Sequence, residues 1–367
     1  MRNKPILFEK FGGLEGKIPW LSLGDLPTPV QRLPKLGDQI GLPEFYCKRD
    51  DLTHPEYGGN KIRKLEFLLA DVRQQSRKSA LTLGGWGSNH VLATTILSNK
   101  LGIKPLAVMV PQCAQEYARK NLLLNFALGC ELSYARSTVA VPFKIISVYL
   151  RRWMTGDRPY FIWAGGSSPL GTLGYVNAAL EISGQVREGA LPEPDYIFCA
   201  VGSCGTFSGL VLGCKLAGMK TKVIGVRVFD KPFANSYMAR RLGRKTLQLM
   251  RKFDRTVPEL NLMETDFTVL HDYAGPRYAQ FTRPGMEAVA LAQELESVKL
   301  DGAYTGKSLA ALIDWARNGR LKNQKVLFLD SYNSRPLEKL VPALPDWKNL
   351  PHPFHTCFTE KIREIGE

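Results

Sequence analysis

The chain has 367 residues, enough for two lobes with substantial cores, and its 44% hydrophobic and 23% charged content is that of an ordinary globular protein. Its formal charge of +15 invites a nucleic-acid reading, but the basic residues are spread along the chain and no nucleic-acid motif accompanies them, so no nucleic-acid partner is expected. The longest apolar runs are strand-sized, and Met1-Arg2-Asn3-Lys4 is not followed by a secretory core, so neither a membrane span nor a cleaved signal is expected. The seven cysteines are scattered without a CxxC pair, which fits reduced thiols in a cytoplasm.

In chain order, residues 1–45 hold the punctuated stretch Leu26-Pro27-Thr28-Pro29-Val30 and a short amphipathic run to Ile40. Glu44 to Lys48 reads as a strand entering the turn Arg49-Asp50-Asp51. Tyr57-Gly58-Gly59-Asn60-Lys61 then opens the periodic run Ile62, Leu65, Leu68, Leu69 and Val72, the spacing of an amphipathic helix. Strands are expected at 80–83, 105–110, 160–163, 195–201, 223–228 and 326–329, and helices at 116–128 and 173–187, with another from the Gly202 loop to about Leu216. A helix carrying Val91, Ile96 and Leu97 follows the first of these strands. The run from Arg240 to Arg255 reads as one helix with a cationic, solvated face. Alternating strands and helices, with many strands apolar on both faces, give an α/β fold with parallel-rich sheets covered by helices.

Lys61 stands at the seam between a glycine loop and a helix N-terminus. Unpaired backbone N–H groups and the positive end of the helix dipole disfavour its ammonium form there and suit a nearby anion. Such a lysine can form a Schiff base with a carbonyl. Gly202-Ser203-Cys204-Gly205-Thr206 lies between a buried strand and a helix start. Glycines there let backbone approach an anion, and the hydroxyls add donors, so the loop is a candidate phosphate site beside the plain alternative of a strand–helix turn. It lacks both the P-loop and the dinucleotide-binding spacing. Gly84 to His90 has the same setting; Ser88 is placed to cap the next helix and to present a hydroxyl, with Asn89 and His90 beside it. Tyr273, Tyr278 and Tyr304 lie in turn-like stretches and are candidates for packing or for acid catalysis. Asp50, Asp51 and His54 match no strong metal spacing, and neither does the tail motif His352, His355, Cys357, so no metal is expected.

Taken together these stretches resemble the fold-type II pyridoxal-phosphate enzymes, and among them the group of 1-aminocyclopropane-1-carboxylate deaminase and D-cysteine desulfhydrase. The resemblance rests on Pro27-Thr28-Pro29, Lys48 to Thr53, Gly58-Gly59-Asn60-Lys61 running to Asp71, Gly84-Gly85 with Ser88-Asn89-His90, and Gly165 to Gly171. The Gly202–Thr206 loop, Gly275-Pro276 with Tyr278, and Tyr304-Thr305-Gly306-Lys307 complete it. It implies a two-domain fold of the tryptophan-synthase β type. The large cofactor-binding domain would comprise 1–64 and 175–345, the small domain 65–174, and a C-terminal extension 346–367. It implies pyridoxal 5′-phosphate as cofactor, a small amino acid as substrate, and a homodimer.

By the same resemblance Lys61 is the Schiff-base lysine. Lys64 and the loop Gly202, Ser203, Cys204, Gly205 and Thr206 hold the phosphate. Asn89 contacts the 3′-oxygen of the pyridoxal, and Ser88 and His90 face the substrate carboxylate. Tyr278 and Tyr304 face the reacting carbons, and Thr305 lies beside the substrate. Thr305 separates two branches, since the cyclopropane deaminases usually carry Glu there and the desulfhydrases Thr. β-Elimination from D-cysteine is therefore expected, with cyclopropane ring opening as the alternative and a repurposed or non-catalytic cofactor-binding protein as further readings.

The chain departs from the family at three places. Gly87 stands where Gln is usual, Arg277 follows Gly275-Pro276, and the last strand ends Asp330-Ser331-Tyr332-Asn333 in place of His-Thr-Gly-Gly. Ser331 is expected to meet the pyridine nitrogen, Asp330 to point to the opposite face, and Tyr332 and Asn333 to narrow the substrate pocket.

Overall fold

The computed structural model describes residues 4–362. Two sheets organise it. The larger contains Val30–Arg32 (β1), Phe45–Arg49 (β2), Tyr196–Val201 (β7), Lys222–Arg227 (β8), Thr268–Leu270 (β9) and Val326–Asp330 (β10), in the spatial order β1-β2-β10-β7-β8-β9. The smaller contains Ser79–Gly85 (β3), Lys104–Val110 (β4), Glu131–Tyr134 (β5) and Tyr160–Phe161 (β6), in the order β5-β4-β3-β6. Every pairing is parallel except β1 with β2 at the edge. This is the parallel-rich α/β architecture expected from strands apolar on both faces.

The central strand β10 shows why. Its sequence Val-Leu-Phe-Leu-Asp is buried at every position, because helices cover the sheet on both sides. Phe328 sits in one core with Phe45, Phe198 and Leu312, while Leu327 and Leu329 sit in the other with Ile197, Phe207 and Leu210. The C-terminal ends of β2, β7 and β10 converge where α/β sheets commonly carry their sites.

Several elements start or stop away from their expected bounds. The helix expected over 173–187 begins at Pro169, because proline fits the first helical turn and Ser168 caps it, accepting from Gly171 N at 3.2 Å. The strand expected over 160–163 is only Tyr160–Phe161. The helix Val141–Met154 has no counterpart in the sequence reading. Val141 and Val148 are buried and Ile145 packs against the same core, while the opposite face presents apolar residues to solvent, Phe143 at 72% and Met154 at 81% exposure. The cationic run lies on the helix Ser236–Phe253, where Arg241, Arg244, Lys245 and Lys252 are exposed, as expected of a solvated face.

The helix Lys61–Gln74 joins the two sheets and crosses the expected domain boundary at 64–65. A buried charge network clamps it to the helix Pro169–Arg187. The Arg63 guanidinium makes paired bonds of 2.8–2.9 Å to both Asp50 oxygens and of 2.9 Å to both Glu181 oxygens. Lys48 Nζ adds 2.6 Å bonds to Glu181 and to Thr28 O, and Tyr175 OH donates to Asp50 at 2.6 Å. Two cations and two carboxylates thus balance in the interior, each with several partners.

Residues after β10 run back over the smaller sheet. Leu350, Phe354 and Cys357 pack with Trp86, Met109 and Leu122. Arg119, on the helix Glu116–Ala127, donates to Cys357 O at 3.0 Å and to Glu360 O at 2.7 Å. His355 of the tail motif meets Leu350 O at 2.9 Å and packs edge-on to Trp347.

Candidate active site

The glycine pair ahead of Lys61 fixes where the lysine emerges. A Cβ on Gly58 would come 1.7 Å from Asp51 O, so only glycine fits against the turn. Gly58 N donates to Asn333 Oδ1 at 2.7 Å, Gly59 N to Asp50 O at 2.8 Å, and Asn60 N to Ser331 O at 3.1 Å. The loop is therefore stitched to the end of β10, and Lys61 begins the helix.

Lys61 Nζ donates to Asn60 Oδ1 at 2.6 Å. Burial lowers its pKa to about 8, with the carboxylate of Asp301 pulling the other way. The amine is thus activated as the sequence suggested, but the principal cause is desolvation.

Behind Lys61 lies a pocket of donors. Lys64 Nζ reaches Gly165 O at 3.1 Å and Ser167 Oγ at 3.3 Å; Ser167 Oγ lies 2.8 Å from Ser203 Oγ and accepts from Gly205 N at 3.1 Å. A Cβ on Gly205 would meet Ser167 Oγ at 2.5 Å and Lys64 Nζ at 3.0 Å, and one on Gly165 would meet Ser203 Oγ at 2.2 Å. Burial, and then the neighbouring Lys61, drive the Lys64 pKa well down, and among the described residues Lys64 has no carboxylate partner. An ammonium, two hydroxyls and a helix-start amide, converging without an acid, fit a phosphate dianion, which would restore the charge on Lys64. The residues present therefore fit pyridoxal phosphate.

The rest of the Gly202–Thr206 loop is arranged around this pocket. Thr206 Oγ1 accepts from Asn60 Nδ2 at 3.0 Å, and a Cβ on Gly202 would lie 3.6 Å from Tyr304 Cε1. Cys204 adopts φ +66° and turns its thiol away, to Phe233 O at 3.3 Å. Burial pushes that thiol up to about 11.

Ser88 caps the helix Asn89–Lys100, accepting from Val91 N at 3.3 Å. Asn89 Oδ1 accepts from Asn121 Nδ2 at 3.0 Å, and Tyr57 OH donates to Asn89 O at 3.2 Å. His90 is buried, with Nε2 at 3.0 Å from Thr82 Oγ1; burial first, then Lys61 and Lys64, hold its pKa well below the usual value. Its ring is neutral at pH 7 and engaged with the smaller sheet.

Tyr278 OH and Tyr304 OH share a very short hydrogen bond, and their rings meet edge-on. Burial raises both phenols, so both keep their protons at neutral pH. Thr305 is buried and its hydroxyl donates to Asp301 Oδ1 at 2.7 Å; Asp301 also accepts from the N–H groups of Ala303, Tyr304 and Thr305 at 2.8–3.1 Å. Asp330 is fully buried, with Oδ1 accepting from Tyr332 N at 3.2 Å and Oδ2 unpartnered. Burial and then Asp51 push its carboxyl well up. Ser331 follows the end of β10 and is half-buried.

Asn333 corrects one expectation. It does not narrow the pocket: besides holding Gly58 N, its Oδ1 accepts from Arg335 N at 3.1 Å and its Nδ2 donates to Arg335 O at 3.3 Å. Gly87 has a packing reason, since a Cβ there would come 2.8 Å from Ala118 Cβ, while Gln112 Oε1 accepts from Gly87 N at 3.0 Å. The sequence reading assigned no role to Asn60, Ser167, Asp301 or Tyr117. Ser167 stood within the matched stretch Gly165–Gly171. Tyr117 carried no signal; it stacks on Phe281 at 6.0 Å and accepts from Gln112 at 3.0 Å.

Comparison with known proteins agrees with this geometry. The chain is 35% identical over 334 residues to a D-cysteine desulfhydrase of Klebsiella pneumoniae (strain 342), covering 89% of this chain and 98% of that one. It is 34% identical over 319 residues to a D-cysteine desulfhydrase of Salmonella newport (strain SL254), covering 85% and 93%. A crystal structure of an ACC deaminase homologue superposes with a TM-score of 0.75 at 30% identity, covering 93% of this chain and all of that one. The family model for pyridoxal-phosphate dependent enzymes spans residues 21–331, and the chain belongs to that family.

Proposed function

We propose that this enzyme carries out β-elimination on D-cysteine, giving pyruvate, ammonia and sulfide. The observation that carries the reading is the placement of Lys61. Its amine, with a pKa lowered to about 8, sits on the same helix as Lys64 and its acid-free donor pocket. Pyridoxal phosphate supplies an electron sink for the carbon from which a proton is removed. Lys64, Ser167, Ser203 and Gly205 N hold its phosphate, with Thr206, Gly202 and Cys204 shaping the loop. Asn89 and Ser331 orient the ring. Lys61 takes the substrate's α-proton. Ser88 and the start of its helix hold the substrate carboxylate beside His90. Tyr278 and Tyr304, sharing one hydrogen bond, keep a proton available to the departing sulfur.

Thr305 and the names of the relatives favour desulfhydration over cyclopropane ring opening. The likeness to an ACC deaminase homologue keeps the second reaction as the alternative. The test supplies purified holoenzyme with D-cysteine or 1-aminocyclopropane-1-carboxylate and scores sulfide, ammonia and keto acid. Sulfide with pyruvate supports the reading; 2-oxobutanoate from the cyclopropane alone overturns it.

The reading includes two lobes, 1–64 with 175–345 and 65–174, with the site between them. It also includes a homodimer in the cytoplasm, supported by the exposed apolar face of Val141–Met154 and by seven unpaired cysteines. Light scattering on the purified protein tests the dimer. Among the described residues no helix is long and apolar enough to cross a membrane.

A further inference from the structure

A cavity of about 110 Å³ is lined by Asn89, Tyr117 and Tyr332 together with Lys120, Lys299 and Arg335. That is room for several water-sized groups. It borders the candidate active site. Asn89 starts the helix that Ser88 caps, and Gly59, two residues before Lys61, abuts the backbone of Tyr332, since a Cβ on Gly59 would lie 3.1 Å from Tyr332 O.

The charges around the cavity do not balance. Glu338 lines it too, and is paired with Lys120. That leaves Lys299 and Arg335. Among the described residues neither has a carboxylate at ion-pair distance, and the Arg335 side chain donates from Nε to His54 O at 3.1 Å. Three cations thus share one carboxylate, since Lys120 and, more weakly, Lys299 act on Glu338, and the net positive charge at this polar cavity attracts an anionic group. Tyr332, which stands where the family has glycine, adds a phenol to that wall and separates the cavity from the glycine loop.

We propose that the cavity receives an anionic substituent on the substrate's side chain, so that the preferred substrates are β-substituted D-alanines whose leaving group carries a sulfonate- or phosphate-type charge. This rests on the elimination reading above. The step balances without a redox partner. The α-proton passes to Lys61, the bond from Cβ to the substituent breaks, and its electron pair leaves with the anion. The unsaturated amino acid then takes up one water, giving pyruvate and ammonia.

The test measures kcat/KM of the holoenzyme for S-sulfo-D-cysteine and for D-cysteine by pyruvate release. The anionic substrate is expected to be preferred at least about tenfold, the effect of one charge-assisted bond. Lys299→Glu, at an exposed position, should lower the ratio of the two kcat/KM values about tenfold through KM, and Arg335→Gln should lower it in the same direction. No preference in the wild type, or an unchanged ratio in both variants, overturns the proposal. If neither compound is turned over, the elimination reading fails by itself. Equilibrium binding of the same two compounds, followed by the cofactor's absorbance, then decides the anion site: tighter binding of the sulfonate that Lys299→Glu removes upholds it, and equal affinity overturns it.

Discussion

Lys61 Nζ donates to Asn60 Oδ1 at 2.6 Å, and Nδ2 of the same Asn60 donates to Thr206 Oγ1 at 3.0 Å. One side chain thus holds both the amine and the end of the Gly202–Thr206 loop. Asn60→Ala should therefore damage two properties together. Loss of two hydrogen bonds of about 1 kcal/mol each predicts a ten- to thirtyfold weaker retention of pyridoxal phosphate. Turnover at saturating cofactor should also fall, because the amine is no longer held. Dialysis followed by absorbance measures the first and steady-state kinetics the second; a change in only one would show that Asn60 serves only that group.

The lysine's titration gives a second expectation. Burial lowers Lys61 to about 8, so the free amine predominates above that pH and the ammonium below it. The rate at which apo-protein captures pyridoxal phosphate, trapped with borohydride, should rise with pH and level off just above 8. An unperturbed lysine would level off above about 10.4. Lys61→Ala should abolish the trapped adduct, and an adduct on another lysine would refute the assignment.

The donor pocket is tested at Gly205. A methyl there would sit 2.5 Å from Ser167 Oγ and 3.0 Å from Lys64 Nζ. Gly205→Ala should displace at least one donor, costing about 1.5–3 kcal/mol, so the Kd for pyridoxal phosphate should rise roughly ten- to hundredfold. The apo-protein's thermal midpoint should move much less. Unchanged affinity would mean that the loop is only a strand–helix turn.

Tyr332 and Asn333 separate where the sequence made them one feature. Asn333 Oδ1 accepts from Gly58 N and Arg335 N, so Asn333→Gly leaves a buried amide unpaired and should destabilise the protein by about 1–3 kcal/mol. Tyr332→Gly opens the cavity wall and should alter substrate preference. Denaturant melts and a substrate panel on the two single variants distinguish these roles; a selectivity change confined to Asn333→Gly would reverse them.

What was legible follows from this pattern. Lys61 was readable because a glycine loop meeting an apolar-periodic run is a local signal. The parallel strands were readable because burial on both faces leaves continuous apolar runs such as 326–329. Ser167, Asp301 and Tyr117 were not, because their roles arise only when separate elements converge. Ser167 acquires its role by meeting Lys64 and Ser203, 103 and 36 residues away. Asn333 was misread because sequence cannot show whether a side chain replacing glycine enters the pocket or turns to a neighbouring backbone. The helix Val141–Met154 escaped because apolar residues lie on both its faces, Val141 and Val148 inward and Phe143 and Met154 outward, which blurs the amphipathic pattern.

The buried clamp beneath Lys61 predicts how the fold responds to acid. Burial alone would raise the Glu181 pKa, but the charges of Arg63 and Lys48, and their hydrogen bonds, outweigh it and hold the carboxylate far below its usual range. A carboxylate depressed on folding adds stability that is fully present above its unfolded pKa, near 4.3, and is lost as pH falls through its folded value. Glu181→Gln leaves Lys48 and Arg63 facing only the Asp50 charge, so it should cost about 3–5 kcal/mol at pH 7. The gap between wild type and variant should narrow as pH falls below about 4, because the wild type loses what the variant lacks. Urea unfolding of both proteins between pH 7 and pH 3 measures that gap. A gap that stays constant across the series would show that the loss comes from packing alone and not from the charge on Glu181.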